Sequence, residues 1–195
     1  MTPFEKKVLK ALLYQPTHFS GLIKAFGNHK YAMATLKKYI TGVDFGVEIE
    51  GVKNESDEIR MRYSEIGSIV NLYKKFMFHF ENFDYEYGVH IHIDCRKEWN
   101  KLEISNFSKE MLLYLVYDVF DYKGAFNKIE VSCQKTAVKY HCEYRTIEYR
   151  IIAMPKSWAE FVKSIMICQY ATHLVKNKLP FDEKAKKKIQ TIMSL

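Results

Sequence analysis

The sequence predicts an α+β protein in which a largely antiparallel sheet is backed by helices. One observation is a change of hydrophobic period: apolar residues recur at helical spacing in residues 1–40 and alternate with polar residues after Gly42. A second is that predicted strands and helices then follow one another without an internal repeat or a linker-like segment. We therefore expect an N-terminal helical segment over residues 1–41 and an α+β domain over residues 42–195.

The predicted helices are marked by capping residues and apolar spacing. Thr2 and Glu5 form a capping box with proline at the first helical position, and Ser157 and Glu160 form a second box that opens a helix to about residue 176. Ser108 is the expected cap of another helix. Further helices are predicted over residues 18–26, 33–40, 68–80 and, as a short basic surface helix, within 181–195. The three short helices before Gly42 also fit a helix-turn-helix unit.

Strands are predicted over residues 44–50, 59–63, 88–94, 127–133 and 140–153. Three of them repeat one pattern, in which charged or metal-ligating residues at positions i and i+2 are separated by aliphatic or aromatic residues. Side chains at i and i+2 share one face of a strand. If the three strands pair, that face collects Glu48, Glu50, His90, His92, Asp94, Glu148 and Arg150.

This polar face predicts a shared metal site rather than an ordinary solvent-facing sheet. Ordinary solvent faces carry lysine, threonine, serine and mixed charges, whereas this one is rich in carboxylates and imidazoles. Crowded carboxylates repel one another, which favours a bound cation, and carboxylate-dominated sets suit Mg²⁺ or Mn²⁺. An arginine beside a ligating glutamate can hold a phosphoryl group. Because the sequence has no glycine-rich phosphate loop, metals and basic side chains would have to hold a nucleotide.

Residues 42–50 (GVDFGVEIE), 88–94 (GVHIHID) and 145–150 (RTIEYR) each resemble a strand of one known family. The second resembles its G-[LV]-H-[VI]-H-V-D strand and the third its T-[IV]-E-[FY]-R strand, and both are followed by a helix. The family is the amidoligases, carboxylate–amine ligases of the glutamine synthetase superfamily. The resemblance covers residues 42–175 and implies a glutamine-synthetase-like antiparallel sheet.

The resemblance implies ATP-dependent amide bond formation through an acyl phosphate, with Mg²⁺ or Mn²⁺ as the cation. A carboxylate and an amine borne by a small molecule, a peptide or a protein would be the substrates. His92 and Arg150 would face the phosphates and, with Glu148, form the catalytic set. The metal ligands would be Glu48, Glu50, His90 and Glu148, with Glu65 as a further ligand for which Glu58 competes.

The chain also departs from the family, because the segments between its motifs are shorter than usual. It is therefore either a minimal ligase or a degenerate member that binds nucleotide or metal without ligation. In the superfamily a neighbouring subunit can complete a site, so a homo-oligomer is a further expectation.

Two other functions remain as alternatives. An H-x-H strand is also the metal-binding core of single-strand DNA nickases and replication initiators, in which case Tyr170 is the expected nucleophile. That function leaves the pairs Glu48-x-Glu50 and Glu148-x-Arg150 unexplained. In the non-catalytic alternative, the first helices bind DNA or a protein and the polar face is a remnant of a ligase ancestor.

Composition limits the partners and the location. Lysine and arginine number 30 against 23 aspartates and glutamates, so the net charge of +7 permits a nucleic-acid partner. No apolar run reaches the ~20 residues of a membrane span and the first residues do not resemble a signal peptide, which predicts a cytoplasmic protein without a membrane partner. The four cysteines lack metal-site spacing and are expected to be reduced and buried.

The remaining charged and histidine residues have ordinary explanations. His79, His141 and His173 are isolated in the sequence and are expected at the surface or in the core. The basic run over residues 184–188 is expected to be a solvated helix surface that could attract an acidic substrate.

Overall fold

A computed structural model describes residues 1–18, 21, 24, 27–41, 45–49, 73–74, 76–77, 88–122, 129–132 and 136–195. The helices are α1 (Pro3–Tyr14), α2 (His29–Leu36), α3 (Lys109–Leu113), α4 (Trp158–Lys176) and α5 (Glu183–Met193). Wider π-helical turns extend α2 over Lys37–Thr41 and α3 over Tyr114–Val119, and 3₁₀ turns span Pro16–His18, Arg96–Lys101 and Ile104–Asn106. The strands are β1 (Phe45–Ile49), β2 (Gly88–Asp94), β3 (Val131–Ser132), β4 (Val138–His141) and β5 (Thr146–Ala153).

The five strands form one mixed sheet in the order β1-β2-β5-β4-β3. Three neighbouring pairs are antiparallel, whereas β3 and β4 run parallel. The α+β class is therefore confirmed, and the sheet is mixed rather than wholly antiparallel. The register places Glu48 opposite His90 and His92 opposite Glu148, so the motif-bearing strands β1, β2 and β5 are direct neighbours.

One face of the sheet is apolar and packs on α4. Ile91, Ile147 and Tyr149 are fully buried on this face. The Tyr149 hydroxyl and the Thr172 hydroxyl share a hydrogen bond of 2.8 Å, which ties β5 to α4. Because successive side chains of a strand point to opposite faces, Glu148 lies on the other face, away from α4.

The N-terminal helices pack on α4 from its other side. The Trp158 indole donates to the Leu12 carbonyl at 2.9 Å, and the Gln169 amide donates to the Ile40 carbonyl at 2.7 Å. Burial of apolar residues on α1, α2, α4 and α5 gives a continuous core with the sheet. The predicted boundary between residues 41 and 42 stays a prediction, because residues 42–44 lie outside the described part of the chain.

The capping predictions hold in two of three places. Thr2 and Glu5 form the complete capping box, and the Ser108 hydroxyl accepts from the Met111 amide at 3.1 Å. Ser157 likewise accepts from the Glu160 amide, but the Glu160 carboxylate accepts from the Lys156 amide instead of closing the box. The helix predicted to end near residue 176 does so.

Other predicted elements are changed or lie outside the description. The strand predicted over 140–153 is instead the β4–β5 hairpin, whose turn holds Arg145 at a φ of 53°. The strand predicted over 127–133 is seen only as β3. The strand predicted over 59–63 is outside the described residues. Of the helices predicted over 18–26 and 68–80, only some positions are described. Residue 18 ends a 3₁₀ turn, and the others are α-helical: 21, 24, 73, 74, 76 and 77.

The last helix is more than a surface helix. In α5, Ala185, Ile189 and Ile192 are buried against the rest of the core. Among the described residues, no helix combines the length and the hydrophobicity needed to cross a bilayer.

Candidate metal centre

The polar face of the sheet brings together side chains from four adjacent strands. Glu48 comes from β1, His90 and His92 from β2, and Glu148 and Arg150 from β5. The alternation of these residues with buried aliphatic residues orients all of them to the face opposite α4. His141 at the end of β4 joins them, because the register aligns it with Thr146 on the same face as Glu148.

A first cluster consists of Glu48, His90 and Glu148. His90 Nδ1 lies 3.0 Å from Glu148 Oε1 and 3.3 Å from Glu48 Oε2. One donor atom from each of the three residues lies within 4.8 Å of the others, so the three could hold one metal ion. The cross-strand pairing of Glu48 with His90 places these two side chains directly opposite each other.

A second cluster consists of His92, His141 and Glu148, and it also fits one metal ion. His141 Nε2 and Glu148 Oε2 form a short hydrogen bond. The His92 and His141 rings lie 5.5 Å apart between centroids, and His92 Nε2 is 3.4 Å from Glu48 Oε2. Glu148 thus belongs to both clusters, with Oε1 facing the first and Oε2 facing the second.

Arg150 is a cationic group that binds the shared carboxylate. Its Nη1 donates to Glu148 Oε1 at 2.6 Å, the length of a charge-assisted hydrogen bond. Arg150 and Glu148 are two residues apart on β5, which is why they share a face. The arginine therefore orients the carboxylate that both clusters use.

Burial separates this face from an ordinary solvent-facing sheet. Only 1% of the Glu148 side chain and 3% of the His90 side chain are exposed. A buried carboxylate is costly unless charged or hydrogen-bonding groups compensate it. Burial would raise the pKa of Glu148, but the hydrogen bond from His90 and the charges of His92 and Arg150 outweigh it and hold that pKa far below its usual value. Hydrogen bonding with His92 likewise lowers the pKa of Glu48, against the opposing effect of burial.

The distances and charges of the clusters suit a divalent cation. Two donor atoms that each lie about 2.1 Å from a shared ion are about 3.0 Å apart at octahedral and about 3.4 Å apart at tetrahedral positions. The spacing of His90 Nδ1 from its two carboxylate oxygens falls within that range. Metal-bound imidazoles are neutral, so the Glu48 and Glu148 carboxylates would supply the negative charge that a divalent cation needs.

Most of the residues on this face were predicted from the sequence. Glu48, His90, His92, Glu148 and Arg150 do lie together. The predicted ligands Glu50 and Glu65, and the competing Glu58, fall outside the described residues, so their roles stay predictions. Asp94 lies at the end of β2 and binds the Arg96 guanidinium through both carboxylate oxygens.

The interpretation of His141 as an isolated histidine was wrong. His141 contacts Glu148 and belongs to the second cluster. The signal that could have found it is the short alternation of residues 138–141, which places Lys139 and His141 on the polar face.

Tyr170, the nucleophile of the nickase alternative, lies on the other side of the sheet. It belongs to α4 and lines a cavity whose described lining residues come from helices and the segments beside them, not from strands. Because α4 covers the apolar face, Tyr170 is separated from the H-x-H residues by the sheet itself. This placement argues against an attack by Tyr170 on a phosphodiester held at the polar face.

Comparison with known proteins gives no relative: no protein-family model, curated protein or solved structure matches the chain.

Proposed function

We propose that the chain is an ATP- and divalent-metal-dependent carboxylate–amine ligase of the amidoligase type, with a glutamine-synthetase-like sheet. The observation that supports this most directly is the group formed by half-buried Glu48 with buried His90 and Glu148, with Arg150 hydrogen-bonded to the shared carboxylate. Two further features agree with the resemblance. The three strand motifs occur in the same order along the chain, and β2 and β5 are each followed by a helical segment.

Each residue has a role that its position allows. Glu48, His90 and Glu148 would hold a Mg²⁺ or Mn²⁺ ion, which supplies charge neutralisation for nucleotide phosphates when bound. Arg150 lies beside the shared carboxylate and can donate to a phosphoryl oxygen while it remains paired with Glu148. His92 lies 3.4 Å from Glu48 and can donate to the same phosphate group.

The second cluster points to Mn²⁺ or a softer ion in addition to Mg²⁺. His92 and His141 supply two imidazole nitrogens and Glu148 one oxygen. Imidazole suits first-row transition ions better than Mg²⁺, which prefers oxygen donors. Because Glu148 belongs to both clusters, we propose that a second cation can bind beside the first, in which case His92 would ligate that cation instead of donating to a phosphate.

The activity can be tested as release of inorganic phosphate from ATP with Mg²⁺ or Mn²⁺ and panels of carboxylates and amines. A ligase should release phosphate only when a carboxylate is present, and an amide should accumulate when an amine is added. Glu48→Gln should abolish both signals, because the amide cannot supply the anionic ligand. Glu143→Gln, which makes the same change in the exposed β4–β5 turn, is the matched control and should keep both.

Other outcomes would favour the alternatives. Metal binding without ATP binding, together with cleavage of single-stranded DNA, would support a nickase that uses another nucleophile. Binding of DNA or a protein that survives Glu48→Gln and Glu148→Gln would support the non-catalytic remnant. Either result would overturn the ligase proposal.

A further inference from the structure

A cavity of about 620 Å³ lies among the helices, on the side of α4 away from the sheet. None of the described residues that line it belongs to a strand or to the candidate metal centre. Its volume is typical of a pocket for a small ligand. The residues that matter for its chemistry come from the end of α2, from α4 and from α5: Lys38, Tyr39, Tyr170, Lys184, Lys187 and Lys188.

One face of α5 supplies most of the positive charge. Lys184, Lys187 and Lys188 are spaced i, i+3 and i+4, which places them on one side of the helix, and all three line the cavity. Lys186 lies elsewhere on α5 and forms ion pairs with Glu110 and Glu183. Lys184 and Lys187 are exposed, as expected for a solvated helix surface, whereas Lys186 and Lys188 are partly buried.

Lys188 is held inside the cavity by aromatic rings. Its Nζ lies 4.5 Å from the centre of the Tyr170 ring and 5.5 Å from that of Tyr39, within cation–π range. Burial lowers the pKa of Lys188, and the positive charges of Lys38 and Lys184 lower it further, against the opposing charge of Glu5. A cation that is partly desolvated and repelled by its neighbours gains from a nearby anion.

The chain itself supplies little negative charge to this cavity. Asp182 lines it, but its carboxylate caps α5 by accepting from the Ala185 amide at 2.9 Å. Glu5 binds Lys38 at 2.8 Å. Within the described part of the chain, no carboxylate lies at ion-pair distance from Lys184, Lys187 or Lys188. Among the described residues, these three lysines therefore form no ion pair with a carboxylate of the chain.

We propose that this cavity is a second binding site, for a small molecule that carries a phosphate or pyrophosphate group. Lys184 and Lys188 would bind the phosphoryl oxygens, and the rings of Tyr39 and Tyr170 would keep the Lys188 ammonium in place. A multivalent anion matches several converging ammonium groups better than a single carboxylate does. A volume of about 620 Å³ suits a small ligand rather than a continuous nucleic-acid strand. The proposal goes beyond the ligase function and does not depend on it.

The test is titration calorimetry of the full chain with inorganic pyrophosphate in the presence of EDTA. EDTA removes divalent cations, so binding at the metal centre cannot produce the signal, and failure here leaves the ligase proposal untouched. Pyrophosphate should bind, and Lys184→Gln and Lys188→Gln should each weaken binding by about tenfold or more, the loss expected for a charged hydrogen bond. Lys188→Arg, which keeps the positive charge, should bind pyrophosphate as the wild type does. Lys186→Gln removes the same charge from the same helix outside the cavity and should leave binding unchanged.

Three results would overturn the proposal. The first is no pyrophosphate binding by a folded wild-type chain. The second is equal weakening by Lys186→Gln, which would show a response to net charge alone. The third is binding of a twelve-nucleotide oligothymidylate that pyrophosphate fails to displace, which would assign these lysines to a nucleic-acid surface. Far-UV circular dichroism of each variant shows that it is folded, and the exposed Lys184 variant keeps the test valid if Lys188→Gln unfolds.

Discussion

Glu148 connects the two clusters because its two carboxylate oxygens have different partners. Oε1 accepts from Arg150 and lies 3.0 Å from His90 Nδ1, while Oε2 is bound by His141. The side chain is 1% exposed, so water cannot replace these partners. The same carboxylate that would bridge two cations therefore also stabilises the metal-free fold.

We expect Glu148→Ala to lower the free energy of unfolding in EDTA by about 3 kcal/mol, because it removes one partner of a buried ion pair. Glu148→Gln should cost less, since it keeps the shape and can still accept hydrogen bonds. Urea denaturation measures both. Glu143→Ala in the exposed turn is the control and should change stability little. A Glu148→Ala variant as stable as wild type would show that the buried network contributes nothing.

His141 is expected to matter for the softer cation. His141→Ala should weaken Zn²⁺ or Mn²⁺ binding by at least about tenfold, because the second cluster loses one of its two imidazoles. His173→Ala, on α4 beside the helical cavity, is the matched control. Calorimetric titration with each metal measures the effect. Equal affinities in His141→Ala and wild type would remove His141 from the centre.

The described cysteines differ in solvent exposure, which the sequence did not predict. Cys95 and Cys168 are buried as expected, but Cys142 is exposed in the β4–β5 turn, which corrects the expectation for that residue. Burial raises the pKa of Cys95 to about 12, so its thiol stays protonated at neutral pH. In the native protein at pH 8, we expect iodoacetamide to modify Cys142 well before Cys95 or Cys168. Peptide mass spectrometry of the time course would contradict this if Cys95 reacted as fast as Cys142.

At the scale of single elements, α1 offers a test of capping. Thr2 accepts from the Glu5 amide, and the Glu5 carboxylate accepts from the Thr2 amide and from Lys38. Thr2→Ala should lower the free energy of unfolding by roughly 1 kcal/mol. Burial would raise the pKa of Glu5, but its hydrogen bonds with Lys38 and Thr2 and the Lys38 charge outweigh this and lower it.

The lowered pKa of Glu5 gives this contribution a pH dependence. A carboxylate with a lower pKa in the folded than in the unfolded state stabilises the fold above the ordinary pKa of about 4.5, and this stabilisation is lost as pH falls through the folded value. Glu5→Gln should therefore be less stable than wild type at pH 7, and the difference should shrink below about pH 4.5. Thermal melts across pH 3–7 measure it. A difference that grows toward low pH would contradict the account.

The β4–β5 hairpin is a chain reversal that the sequence did not predict. The turn over residues 142–145 contains no glycine, proline or asparagine, so nothing in it marks a chain reversal. In one uninterrupted strand, His141 and Glu148 would differ by an odd number of positions and face opposite sides of the sheet. The turn changes that relation and brings His141 onto the polar face, which is why the sequence predicted Glu148 and missed His141.

At the scale of the whole molecule, local sequence patterns predicted which residues share a face of the sheet, but not which distant segments contact each other. The alternation in β1, β2 and β5 was enough to predict that Glu48, His90 and Glu148 share a face, because the period of a strand is fixed by its geometry. The parallel pairing of β3 with β4 and the packing of α1 and α5 on α4 depend on tertiary contacts that no single segment encodes. The helical cavity arises from those contacts. The sequence alone therefore predicted its lysines only as part of a basic helix surface.

The proposed function also has a consequence for the whole fold, since a ligand that binds only the folded chain stabilises it. ATP with Mn²⁺ at ~100 times its dissociation constant should add about 2.7 kcal/mol, or about 5–10 °C in melting temperature for a chain of this size. ATP in EDTA should give a smaller shift, and Glu48→Gln should lose the metal-dependent part.

The most direct measurement is therefore the melting temperature of wild type and Glu48→Gln with ATP, with and without Mg²⁺ or Mn²⁺. The account predicts a metal-dependent shift in wild type and in the Glu143→Gln control, and its loss in Glu48→Gln. The same shift in wild type and Glu48→Gln, or no metal-dependent shift in wild type, would contradict the claim that this sheet face holds metal and nucleotide.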